Sequence, residues 1–130
     1  MVSITLMYAG VLGLLMAGLS IRVPLRRGQL DVPFGDGGDE RLATRIRAFG
    51  NFTEYVPMVL VLMALAELSG GSNAVLHASG AGLVVSRVVH AVAYRGRSEL
   101  TFPEKVGRGF GALSTWTVLA GLSAYIVALG

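Results

Sequence analysis

The sequence contains no cysteine and little charge. With zero cysteines in 130 residues, the chain has no disulfide framework, thiolate metal site or cysteine nucleophile. The two histidines, His77 and His90, are too few to supply a metal site, so no metal is expected. Only 15% of the residues are charged, whereas 53% are hydrophobic and the mean hydropathy is +0.64. This composition is too apolar for an ordinary soluble domain and predicts a membrane protein.

Long apolar runs account for most of the chain. Three of them lack any charged residue and lie at 4–21, 68–86 and 109–130. Each approaches or exceeds the ~20 residues that a spanning helix needs. A fourth run, between Glu54 and Glu67, reaches that length when it is continued back through Ala48. This continuation requires Glu54 to be buried against protein.

The runs predict an all-α integral membrane protein, a four-helix bundle with up-down topology that forms a single domain over residues 1–130. The predicted helices lie at about 3–26, 41–69, 73–95 and 103–129. The first apolar run has no basic leader and is too long for a typical signal peptide, so it is expected to be a retained helix.

The basic residues are concentrated in two zones of the chain. All eleven lie within 22–47 or 87–108, which an up-down bundle places on the same side of the membrane. The positive-inside rule therefore predicts that loops 27–40 and 96–102 are cytoplasmic and that both termini are outside. The net charge of +3 is interpreted as a topology signal with added contact to lipid headgroups, and no nucleic acid partner is expected.

Small residues mark expected helix contacts. Gly10, Gly13 and Gly18 lie along helix 1, and Gly107 and Gly111 have small-xxx-small spacing on helix 4. Residues of this size let two helices approach closely in a membrane. Both helices are therefore predicted to pack closely against a neighbour.

Helix 2 carries a polar face inside its apolar run. Arg47, Asn51 and Glu54 stand at i, i+4 and i+7, so they share one face, and Tyr55 borders it. The backbone rise between Arg47 and Glu54 is ~10 Å, which predicts that they do not form one close pair and that a third group lies between them. The alternative is a structural polar network that holds subunits in register.

The other three helices bring polar residues to the same leaflet. These residues are Arg22 on helix 1, Arg87, His90 and Tyr94 on helix 3, and Arg108 on helix 4. Arginine binds carboxylates and a glutamate binds an ammonium group. Together they predict a site for a small anionic ligand that also carries a cationic group. For Arg22, an alternative is that the side chain extends to the lipid headgroups.

The pattern Arg47-x-x-x-Asn51-x-x-Glu54-Tyr55-x-Pro57 resembles the helix 2 signature of the membrane-associated proteins in eicosanoid and glutathione metabolism, the MAPEG family. The Gly-Asp-Gly-Gly loop and the Arg87-x-x-His90 segment resemble the bacterial members. The resemblance implies a homotrimer of four-helix protomers in a bacterial inner membrane. It also implies that glutathione binds as a co-substrate between neighbouring subunits near the cytoplasmic side.

The resemblance also implies roles for individual residues. The implied glutathione ligands are Arg22, Arg47, Asn51, Glu54, Tyr55, Arg87, His90 and Tyr94, with Arg26 as a rival to Arg22. Arg108, near the start of helix 4, matches the catalytic arginine that stabilises the glutathione thiolate. A free thiol has a pKa near ~8.5, and a guanidinium nearby favours the nucleophilic anion.

The activity implied is that of a glutathione S-transferase acting on lipophilic electrophiles, with peroxidase activity toward lipid hydroperoxides as a second reaction. The implied partners are glutathione, a lipophilic substrate, membrane lipid and further copies of the chain. One alternative is a non-catalytic protein that binds glutathione or lipid. Another is a small multidrug transporter, but such transporters rely on an acid in the first helix, and here no acid precedes Asp31.

Overall fold

The computed structural model describes residues 2–93 and 101–130. Within these residues the chain has no strand and forms four α-helices, which are α1 (Ser3–Leu30), α2 (Glu40–Leu68), α3 (Asn73–Ala93) and α4 (Phe102–Leu129). All four are long and apolar enough to cross a membrane, since even the 21 residues of α3 span ~30 Å, the thickness of the hydrocarbon core. The predicted four-helix membrane bundle is confirmed.

The first helix is longer than the sequence predicted. It continues through Pro24 to Leu30 and does not stop near Arg26. Proline removes only one backbone donor, and the strong helix formers that follow it maintain the helix. Asp31 caps the end of the helix: its backbone is left-handed (φ 53°), and its N–H group bonds to the carbonyl of Arg27. The predicted end of helix 3 at residue 95 and most of loop 96–102 lie outside the described residues.

The two middle helices hold the bundle together. Helices α2 and α3 each pack against the three others, whereas α1 and α4 make no contact with each other within the described part of the chain. The buried apolar core comprises Leu12, Leu19, Phe52, Val56, Val59, Met63, Ala66, Leu76, Leu83 and Leu122. Apolar side chains from all four helices therefore fill the space between them.

The predicted small-residue contact on helix 4 is confirmed as the α3–α4 contact. A Cβ atom at Gly111 would lie 2.8 Å from the Cβ of His90 and 3.0 Å from the carbonyl oxygen of Ser86. Two glycines of α1 are not in such a close contact. A Cβ atom at Gly13 or Gly18 would meet no described atom within 4 Å. The close approach predicted for helix 1 is therefore absent at these positions within the protomer.

Two side chains secure helix starts at the end of the bundle opposite the basic residues. Both carboxylate oxygens of Glu67, in the last turn of α2, accept hydrogen bonds of 2.8 Å from the backbone N–H groups of Ile4 and Thr5. These N–H groups have no partner within their own helix, so a distant carboxylate caps α1. At the start of α3, the Ser72 N–H donates to the hydroxyl of Tyr125 at 2.7 Å.

Candidate functional site

Arg87 lies in the interior of the protomer and joins three helices. It is only 2% exposed. Its guanidinium donates hydrogen bonds to Oδ1 of Asn51 at 2.5 Å, to the carbonyl oxygen of Gly111 at 2.7 Å and to the hydroxyl of Thr115. A buried cation requires such acceptors, because burying it without hydrogen-bond partners costs on the order of several kcal/mol. The structure thus places this predicted ligand where it fixes the orientation of Asn51.

Two hydroxyl groups complete the surroundings of Arg87, and the sequence interpretation did not assign them to the site. Ser86 and Thr115 are fully buried, and their hydroxyl oxygens lie 3.0 Å apart. Thr115 also donates to the carbonyl of Gly111 at 2.8 Å. One signal in the sequence could have identified Thr115. It lies four residues after Gly111, the glycine of the helix contact, and so shares its face of α4 toward Arg87.

Arg47 and Glu54 form an ion pair on the outer surface of α2. The Nη1 atom of Arg47 lies 3.5 Å from Oε1 of Glu54, and the two side chains are 61% and 49% exposed. The expectation that they are too far apart to pair was wrong. The ~10 Å rise applies to the backbone, whereas the arginine stem is flexible and the Cα–Cβ bond of Glu54 tilts toward the helix N-terminus, hence toward Arg47. Arg47 and Glu54 of this polar face thus point away from the protomer, whereas Asn51 contacts its interior.

His90 lies within electrostatic range of three arginines. It is buried, and the positive charges of Arg87, Arg108 and Arg47 all act on its imidazole ring. The structure therefore brings predicted site residues of α2, α3 and α4 together. Like charges grouped in a medium of low dielectric constant favour an anionic ligand.

Three of the four remaining predicted residues are partly accessible. Tyr55 on α2, Arg108 on α4 and Arg22 on α1 are each half-buried. Tyr94 lies outside the described residues. The structure therefore supplies side-chain geometry for every predicted ligand except this tyrosine.

The geometry distinguishes Arg22 from its rival Arg26. The guanidinium of Arg26 binds both carboxylate oxygens of Asp39, at 3.2 Å and 2.7 Å, and this contact lowers the pKa of the Asp39 carboxyl below its ordinary value. The same carboxylate caps α2 by accepting from the Leu42 N–H at 2.7 Å. Arg26 therefore fixes the α1–α2 connection, whereas Arg22 takes no part in this contact.

The sequence profile of the MAPEG family matches residues 5–128, nearly the whole chain. The chain belongs to the MAPEG family. It is also similar to the inner membrane protein YecN of Escherichia coli strain K12, with 34% identity over 94 residues that cover 72% of each chain. The YecN protein of Escherichia coli O6:H1 strain CFT073 gives the same identity and coverage. Membership confirms the resemblance carried by helix 2 and indicates a glutathione-related function at the membrane.

The candidate site of this MAPEG protein has two layers. The inner layer is Arg87 with its acceptors, which join α2, α3 and α4 within one protomer. The outer layer is the pair of Arg47 and Glu54, which presents both signs of charge on the surface of a spanning helix. Asn51 lies between them in sequence on the same face of α2, and its Oδ1 accepts from Arg87 of the inner layer. Within the described residues its amide N–H groups have no hydrogen-bond partner and can donate to a ligand.

Proposed function

We propose that this MAPEG protein is a glutathione S-transferase of a bacterial inner membrane that acts on lipophilic electrophiles. The observation that carries the proposal is the exposed ion pair of Arg47 and Glu54 on a spanning helix. Charged groups facing lipid cost a few kcal/mol each, as an order of magnitude. A neighbouring copy of the chain in a homotrimer, with glutathione between the two copies, would cover this face. The name of YecN, an inner membrane protein, supports the location.

The charges of glutathione match the outer layer of the site. Glutathione has two carboxylates, one ammonium group and one thiol. Glu54 is assigned to the ammonium group and Arg47 to a carboxylate, so the ligand would replace the 3.5 Å contact between them with one partner for each. Arg22 supplies a cation for the second carboxylate, and Asn51 and Tyr55 supply hydrogen bonds.

Arg108 is assigned to the reacting sulfur. A guanidinium beside the thiol favours the thiolate, and the thiol proton leaves to solvent. The thiolate attacks the electrophilic carbon, an S–C bond forms, and the leaving group departs with its electron pair. In the second, peroxidase reaction, two glutathione molecules are oxidised to the disulfide while a lipid hydroperoxide is reduced to the alcohol and water.

Glutathione binding and turnover of an aryl halide, measured on the detergent-purified protein, test the proposal. We expect Glu54→Gln to weaken binding about 10- to 100-fold, because it removes a charged hydrogen-bond partner of the ammonium group. We expect Arg108→Ala to change binding only a few-fold but to lower turnover about 100-fold. The ultraviolet absorbance of the bound thiolate should disappear in the same variant.

Glu40→Gln is the matched control, because Glu40 is an exposed glutamate in the first turn of the same helix. It should bind glutathione as the wild type does. A wild-type protein that binds no glutathione overturns the proposal. Binding without turnover of aryl halides or hydroperoxides supports a non-catalytic glutathione-binding protein instead. Proton-coupled drug uptake by reconstituted vesicles, without conjugation, supports a transporter.

A further inference from the structure

A groove runs between α1 and α3 on the surface of the bundle. Its volume is about 550 Å³ and its lining includes Leu14 and Gly18 of α1 and Ala91 and Val92 of α3. The missing side chain of Gly18 leaves space in the groove, since a Cβ atom there would meet nothing within 4 Å. The groove is therefore open and mainly apolar, with a volume in the range that suits small ligands.

One end of the groove is positively charged. Arg22 lines it, and Arg45 of α2 donates a hydrogen bond of 3.0 Å to the backbone carbonyl of Arg22. Within residues 2–93 and 101–130, Arg26 forms an ion pair with Asp39, and Arg47 forms one with Glu54. Arg22 thus places one cation at the head of the apolar groove, and Arg45 places a second beside it, next to the backbone of Arg22. Neither has a carboxylate partner in that part of the chain.

The length of the groove matches one leaflet of a bilayer. The eight residues from Leu14 to Arg22 rise ~12 Å along α1, and half of a hydrocarbon core is ~15 Å. Leu14 lies near the middle of α1 and Arg22 lies toward its basic end. The groove therefore extends from the bilayer centre to the headgroup region on the side of the basic residues.

We infer that this groove is a binding site for one acyl chain of an anionic phospholipid from that leaflet. The chain lies along α1 over Gly18, and the phosphate binds the guanidinium groups of Arg22 and Arg45. The inference does not require glutathione to bind, although the groove meets the proposed glutathione site at one residue. Arg22 is shared by both, whereas Gly18 belongs to the groove alone, and a variant at Gly18 separates the two.

Native mass spectrometry of delipidated protein, titrated with phosphatidylglycerol or with phosphatidylcholine of the same acyl chains, tests the inference. The wild type should bind one phosphatidylglycerol per chain in preference to phosphatidylcholine. Gly18→Phe fills the groove and should weaken this binding about tenfold, the equivalent of losing roughly two buried methylene groups. Arg22→Gln keeps the groove open and should lower the preference for phosphatidylglycerol about fivefold.

Gly13→Phe is the matched control, because Gly13 is an equally open glycine on the same helix outside the groove. It should retain lipid binding, and circular dichroism checks that all variants remain helical. Equal binding of both phospholipids by the wild type overturns the inference. An equal loss of phosphatidylglycerol binding in Gly18→Phe and Gly13→Phe also overturns it. So does a separate titration in which oleate saturates the protein while phosphatidylglycerol does not bind. Glutathione affinity, measured in parallel, should be unchanged in Gly18→Phe.

Discussion

Arg87 is the most deeply buried charged residue in the described part of the chain. Its hydrogen bonds reach α2 through Asn51 and α4 through Gly111 and Thr115. In the sequence it belongs to the same polar group as Arg47, but the two side chains have opposite environments. Arg87 lies in the interior of the protomer, whereas Arg47 is exposed on its surface.

Arg87→Met tests this division at the level of one residue. The methionine fills similar space but leaves the acceptors on Asn51, Gly111 and Thr115 without their donor. We expect the free energy of unfolding in detergent to fall by at least about 2 kcal/mol, even without glutathione. Arg41→Met, at an exposed arginine of α2, should change it by less than about 0.5 kcal/mol. A stable Arg87→Met protein with weakened glutathione binding would make Arg87 a direct ligand.

At the scale of helices, the contact between α3 and α4 places the site residues of both. It depends on Gly111, whose missing side chain lets α4 approach His90 and Ser86. The same approach brings the carbonyl of Gly111 within 2.7 Å of the Arg87 guanidinium. Helix packing and the polar network are therefore coupled at one residue.

Two glycine-to-alanine variants on α4 should have opposite effects on thermal stability in detergent. Gly111→Ala places a Cβ atom against the Cβ of His90 and the backbone of Ser86, so we expect a loss of about 1–3 kcal/mol. Gly109→Ala places it in open space, so the better helix propensity of alanine should stabilise the protein by about 0.5–1 kcal/mol. Equal effects of the two variants would contradict the close α3–α4 contact.

At the scale of the whole molecule, the distribution of charge fits a bilayer. The spanning segments expose large apolar side chains such as Leu14, Trp116 and Val127, which suit contact with lipid. The basic residues of the described part of the chain lie toward one end of the bundle. This asymmetry supports the prediction that loop 27–40 faces the cytoplasm and the turn before α3 faces outside.

The absence of native cysteine makes the orientation directly testable. Phe34→Cys places a thiol at an 85% exposed position of the α1–α2 loop, and Ser72→Cys places one in the exposed turn before α3. In intact spheroplasts, we expect a membrane-impermeant maleimide to label Ser72→Cys at once and Phe34→Cys only after permeabilisation. The reverse pattern, or labelling of both thiols before permeabilisation, would contradict the predicted orientation.

The sequence by itself determined the four membrane helices and the family. Backbone groups in lipid need internal hydrogen bonds, so apolar runs of this length can only be helices, and the spacing from Arg47 to Pro57 identified the MAPEG relationship. The tertiary structure decided which polar residues face outward. Periodicity places Arg47 and Glu54 on one face of α2 but does not set their side-chain conformations, which bring them to 3.5 Å. It also cannot show that Asn51 is held by Arg87, because that contact depends on how neighbouring helices rotate against each other.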